Sequence, residues 1–189
     1  MKSDPATKLA DTALKLLAKT RWSDLTLAQV AKAAKIPFAQ LQPLAASKPA
    51  LIGLILSRIG GETASRYKPD KSSASARDRL FDVAMTWFEV LASRKPAIRS
   101  LYEGLKRDPL SLLAARGEIV AAASWLLALA QADTGPAVAF RAMGFALVIA
   151  RAIPVWLGDG KDMAKTMVRL DGDLRHMDSF ARRGAKDDA

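Results

Sequence analysis

Apolar residues recur every three to four positions along almost the whole chain, and no segment alternates apolar and polar in the manner of a strand. Leu9, Ala13, Leu16 and Leu17 form the first stripe, at i, i+4, i+7 and i+8. Asp4 is placed to cap that helix, and Pro5 suits its first position, where the missing N–H would be unpaired anyway. "RWSDL" then breaks the pattern. Thr26 followed by Gln29 has the spacing of a capping box, and Leu27, Val30, Ala31 and Ala34 make the apolar face of a short second helix. "KIP" ends it, since the residue before a proline is biased towards extended geometry. Pro37 opens a third helix of about two turns at most. Pro43 stops it by removing a donor and clashing with the carbonyl of Ala39. Ser47 caps a fourth helix that runs to Tyr67, weakened near its end by Gly60 and Gly61.

"KPDKSSASA", residues 68–76, is small, polar and charged, and is the best linker in the chain. Helices are expected after it at 77–93, 96–106, 109–132, 136–157 and 162–183. Three of them share one device, a short break and then a proline early in the next helix: Pro96, Pro109 and Pro136. In the last helix Met163, Met167, Leu170, Leu174, Met177 and Ala181 alternate four and three apart, a narrow seam suited to another helix. The pattern predicts an all-α protein of about nine helices. Residues 1–46 form a three-helix head, 47–67 a connecting helix, and 77–183 a five-helix bundle.

Charge sharpens this division. Residues 1–60 hold nine Lys/Arg against three Asp, a net of +6 out of +10 for the chain, whereas 121–189 carry only +1. A basic first third beside a nearly neutral remainder suits a polyanion. The chain has no cysteine, which excludes disulfides and thiolate chemistry and fits a reducing cytoplasm. Its uninterrupted apolar runs, "IVAAASWLLALA" and "GFALVIA", fall short of the roughly 20 residues that span a bilayer, and a soluble protein is expected. With His176 the only histidine, a transition-metal cluster finds no ligand set. No nucleophile elbow accompanies it, and "LGDGKD" lacks the phosphate-loop spacing. No catalytic residue, metal or cofactor is expected.

The N-terminal pattern resembles the TetR family of bacterial transcription regulators over residues 9–51. "ADTALKLLAKTRW" resembles that family's first helix with its terminal aromatic, here Trp22. "LTLAQVAKAAKI" resembles its second helix and turn, and "SKPAL" the start of its fourth. The resemblance implies a helix-turn-helix whose third helix enters the major groove of a double-stranded operator. Thr26 falls on a common phosphate contact of the family. Gln40 and Gln42 can each pair with adenine, Phe38 can touch a thymine methyl, and Lys35 and Lys48 can reach phosphates. Three positions depart. The usual turn glycine is Lys35, the usual phosphate-holding pair near the helix end is Gln42 and Leu44, and Pro43 lies between them.

The family also implies a homodimer through the last two helices and a small hydrophobic or aromatic effector in the bundle. Trp87, Tyr102, Trp125, Phe140 and Met143 are candidate pocket residues, and so is Arg151. Arg141 and Arg151 interrupt an apolar helix. They reach solvent, pair with a carboxylate such as Glu89, Glu103 or Glu118, or meet an acidic ligand. A second resemblance is to the TetR-fold lipid-binding accessory proteins of ubiquinone biosynthesis. It rests on the turn Trp156, Leu157 and Asp159 and on the pair Leu170–Asp171. It implies a buried lipid or quinone and a vestigial head.

Overall fold

The computed structural model describes residues 4–69, 75–134 and 138–187, with side chains in the last helix described to Met177. Among these residues all regular structure is helical. The elements are α1 (Pro5–Leu17), α2 (Leu27–Ala34), a 3-10 turn (Phe38–Gln40), α3 (Lys48–Arg66), α4 (Ala76–Ala92), α5 (Lys95–Arg107), α6 (Pro109–Leu129), α7 (Val138–Gly158) and α8 (Ala164–Asp187). The expected count of about nine compares with eight α-helices and the 3-10 turn. Residues 70–74 of the expected linker and Pro136, the expected opening of α7, lie outside the described residues.

The chain forms two compact units. One joins Met1–Glu62 with Val90–Ile119, and the other joins Thr63–Glu89 with Val120–Ala189. Residues 90–107, which the sequence pattern placed with the bundle, therefore group with the first helices, and α5 packs on α1.

In the first unit, α1 buries Leu9, Ala10, Ala13, Leu14 and Leu17, so its stripe is one step wider than the sequence stripe and leaves Leu16 half-buried. α2 packs beside it through Val30, Ala31 and Ala34. α3 begins at Ser47, whose Oγ accepts from Ala50 N at 3.2 Å, and it buries Leu51, Ile52, Ile55 and Ile59. An ion network stitches the unit: Arg58 reaches Asp11 at 3.1 Å and Glu62 at 3.3 Å, and Arg94 reaches the same Glu62 carboxylate at 2.7 Å. Ser100 Oγ donates to the Thr20 carbonyl at 2.7 Å, fixing α5 to the end of α1. Gly104 permits close approach on this helix, since a Cβ there would lie 2.3 Å from Cβ of Trp22.

In the second unit, Phe88 meets Trp87 edge-on, with centroids 5.1 Å apart, and Trp156 at 5.6 Å; all three are buried. Arg79 closes the end of α6 by donating to the carbonyls of Ala130 at 2.8 Å and Gln131 at 3.2 Å. α7 and α8 pack together. The expected α8 seam shifts by one residue here. Thr166 is fully buried and Met167 is exposed, so the inward stripe reads Met163, Thr166, Leu170, Leu174 and then Met177, which approaches Gly144. The cause is Asp159, whose Oδ2 accepts from both N and Oγ1 of Thr166 at 2.8 Å and pulls that residue inward. Ala181, the last member of the seam, has a side chain outside the described residues.

By length and composition, α6 and α7 are each apolar enough to cross a membrane. Counting unbroken apolar runs missed this because Arg116, Glu118, Arg141 and Arg151 interrupt them. Only 22% and 28% of their most apolar stretches are buried, which leaves apolar surface without an internal partner among the described residues.

Candidate nucleic-acid interface

α2 is closed at both ends by its own sequence. Thr26 Oγ1 accepts from Gln29 N at 3.2 Å while Gln29 Oε1 accepts from Thr26 N at 2.8 Å, a reciprocal capping box. At the other end Lys35 is left-handed, φ 53° and ψ 45°. Its N–H reaches the Lys32 carbonyl and the next N–H, of buried Ile36, reaches that of Ala31 at 3.0 Å. This is a Schellman closure with a lysine where glycine is least strained. The sharp turn that a helix-turn-helix needs is therefore present.

The element after this turn is shorter than the sequence pattern predicts. Instead of a helix of up to two turns, residues 38–40 make a single 3-10 turn. The chain continues in turns to Leu44, with Leu41 buried as an anchor and Leu44 N and Ala45 N both donating to its carbonyl. Pro43 has no N–H to carry an α-helical ladder through this segment.

Five of the six residues singled out for contact with DNA, Thr26, Lys35, Phe38, Gln40 and Gln42, are exposed. Phe38 is 62% exposed, too open for a core residue. The Thr26 hydroxyl oxygen serves as the cap acceptor, and its proton remains available to a phosphate. Lys48 is placed differently. Its Nζ donates to the Trp22 carbonyl at 2.6 Å, lies 3.5 Å from that of Ser23, and sits 4.5 Å from the centroid of the Trp22 ring. Burial pulls its pKa down, against the opposing pull of Asp108 and Asp24. The ammonium is thus engaged in holding the α1–α2 loop.

The six bundle residues singled out as a pocket are dispersed. Trp87 is a core residue of the second unit, whereas Tyr102 belongs to the first and is half-buried. Trp125, Phe140 and Met143 are 53%, 70% and 54% exposed. Arg151 pairs with Asp173 at 3.5 Å, rather than with Glu89, Glu103 or Glu118, and Asp173 also takes Arg169 at 2.8 Å. Arg141 donates through Nη2 to the Thr134 carbonyl, and its Nε is buried without a partner. A cleft of about 660 Å³ does exist, but in the first unit, between the end of α1 and α5, and none of the six lines it.

The missed feature is that cleft. Lys95, Arg99, Glu103 and Arg107 all line it, and their spacing of four puts them on one face of α5. Only the end of α1 opposite them makes the face concave.

No protein-family model and no curated protein sequence matches the chain. Solved structures do resemble it. A TetR transcriptional regulator from Rhodococcus sp. RHA1 is 14% identical, with a TM-score of 0.65 over 92% of this chain and 94% of its own. One from Nitrosomonas europaea ATCC 19718 is 16% identical, with a TM-score of 0.63 over 93% and 98%. A TetR-family transcriptional regulator from Streptomyces coelicolor is 18% identical, with a TM-score of 0.51 over 94% and 89%. The chain has the all-helical TetR-like fold.

Proposed function

We propose that the protein is a TetR-like transcriptional regulator that binds an operator as a homodimer, most simply as a cytoplasmic repressor. The observation that carries this is the capped α2 and left-handed Lys35 turn leading into exposed Phe38, Gln40 and Gln42, in the most basic third of the chain. Thr26 and Lys35 hold phosphates, and the glutamines and Phe38 meet base edges. The dimer uses α7 and α8. Phe140, Met143 and Leu147 fall at i, i+3 and i+7 on α7, and all three are more than half exposed. Their exposure suits a partner helix better than a pocket wall. A small hydrophobic or aromatic effector completes the proposal, as the family resemblance implies.

The test is retention of DNA flanking the protein's own coding region, titrated with salt. Binding should prefer one site over random duplex and weaken with salt by a log–log slope of about 0.9 per phosphate contacted. Equal binding to every duplex at low salt rejects the proposal. Sedimentation of Phe140→Glu/Leu147→Glu should show a monomer where the parent chain is a dimer.

One observation favours a second reading. A single 3-10 turn is a thin reading element, as a lipid- or quinone-binding protein with a vestigial head would have. Lipid copurifying with a chain that retains no DNA would select that reading.

A further inference from the structure

The cleft in the first unit has an apolar floor and a cationic rim. Leu17 and Trp22 are buried in the floor, where Trp22 presses against Gly104. Lys19, Arg21, Lys95, Arg99 and Arg107 line it, against two carboxylates, Glu103 and Asp108. Asp108 is partly spent, taking Ser111 N at 3.0 Å and also its hydroxyl. Among the described residues, no ion pair engages Lys19, Arg21 or Arg107. The floor also holds an unmet donor, since the Trp22 indole Nε1–H is buried without a partner. Finally, α5 starts at the cleft with no side chain capping it, so its first N–H groups add to the positive field.

We propose that this cleft binds a small anion with a compact apolar body, a carboxylate or phosphate ester of an aromatic or short alkyl group. The volume, about 660 Å³, lies within the range of small-molecule sites. Size argues against a duplex as the occupant, because a double helix is too wide to enter a cleft of about 660 Å³ and would leave the Leu17 and Trp22 floor unused. The rim supplies charge, and the Leu17 and Trp22 floor supplies apolar area, so neither an inorganic ion nor a neutral hydrocarbon uses both. The occupant would touch the Arg21–Ser23 segment, whose carbonyls hold Lys48 at the start of α3. This site is independent of DNA reading by the head and stands or falls on its own measurement.

Calorimetric titration of the full chain with 2-naphthyl phosphate, and with 2-naphthol as its uncharged counterpart, tests it. The phosphate ester should bind at least tenfold more tightly than the naphthol and weaken with salt. Lys95→Glu/Arg99→Glu should lose at least tenfold, and so should the milder Lys19→Gln/Arg99→Gln, which keeps the proposal testable if charge reversal disturbs folding. Arg116→Glu/Lys161→Glu, two exposed cations that do not line the cleft, makes the same change in net charge as the first variant and should bind as the parent chain does. Equal affinity for the two probes overturns the proposal, as does no phosphate-ester binding at millimolar concentration or unchanged binding by both cleft variants. Cleft variants that bind the ester normally but lose DNA would reassign the cleft to a nucleic-acid backbone and overturn it too.

Discussion

Replacing Lys48 by Met separates two roles that the sequence alone merges. Met keeps the aliphatic stem and deletes the ammonium. The lost interactions are the 2.6 Å hydrogen bond to the Trp22 carbonyl and the contact 4.5 Å from the Trp22 ring. A hydrogen bond from a charged donor contributes about 1.5–3 kcal/mol, and a half-buried cation over the buried Trp22 ring about 1 kcal/mol. Relief of the burial that depresses the Lys48 pKa offsets part of this, leaving a loss of about 2 kcal/mol. For a chain of this length each kcal/mol moves Tm by about 2–4 °C, so Lys48→Met should melt about 4–8 °C lower. Lys35→Met serves as the control: Lys35 is exposed, and its change should move Tm by no more than about 1 °C. Calorimetric melting of the three proteins, with DNA retention measured at one low salt concentration, decides the matter. A Lys48→Met protein that melts with the parent chain while losing affinity for every duplex would refute the structural role and make Lys48 a phosphate ligand only.

Lys35→Gly should stabilise by up to about 1 kcal/mol, because relief of left-handed strain of about 1–2 kcal/mol outweighs the extra freedom glycine gains when unfolded; a lower urea midpoint would contradict this. Gly104→Ala should destabilise by about 1 kcal/mol or more, with a shifted tryptophan emission. The new Cβ would lie 2.3 Å from Cβ of Trp22, and overpacking of about 1–3 kcal/mol exceeds the helix-propensity gain of about 1; equal or greater stability would contradict it. Asp108 and Asp159 both titrate below the usual carboxylate range. At Asp108 the cause is hydrogen bonding from Ser111, and at Asp159 an upward push from burial is overcome by the bonds from Thr166 and Gly160. Depressed acids stabilise above their unfolded pKa, about 3.9, and lose that contribution as pH falls through the folded value. The urea-midpoint gap between the parent chain and Asp108→Asn/Asp159→Asn should therefore stay constant above about pH 5 and close in stronger acid. A gap that widens in acid would reverse the assignment.

Capping chemistry makes much of the fold legible in the sequence. Thr26 and Gln29 announce the start of α2, Asp4 and Pro5 that of α1, and Pro96 and Pro109 lie in the first turns of α5 and α6, because these signals act within one helical turn. Effects that depend on a distant partner were not legible. Thr166 displaces Met167 from the α8 seam only because Asp159 lies within reach of it. Lys48 reads as an outward cation until Trp22 and Ser23, some two dozen residues earlier, offer it carbonyls. The cations of α5, Lys95, Arg99 and Arg107, can be counted at i, i+4 and i+12 with Glu103 between them, but the concavity of that face comes from the end of α1. Arg151 stands out in the sequence as a cation within an apolar helix, but its partner, Asp173, lies on another helix, α8.

The shortness of the reading turn bears directly on assembly. At about 2.0 Å of rise per residue, the three residues Phe38–Gln40 span about 6 Å, less than two base-pair steps of about 3.4 Å. On the proposed function, a head of this size would read about two base pairs, and at about 1–3 kcal/mol per pair it would separate right from wrong sequence by about 2–6 kcal/mol. Two heads on one duplex reach about 4–12 kcal/mol, which covers the usual range between specific and non-specific binding. A single head reaches only its lower edge. If the chain reads DNA, the exposed α7 face of Phe140, Met143 and Leu147 is therefore as much a determinant of sequence discrimination as Gln40. A monomeric protein would lose its preference for the operator before it lost its salt-dependent hold on duplex DNA.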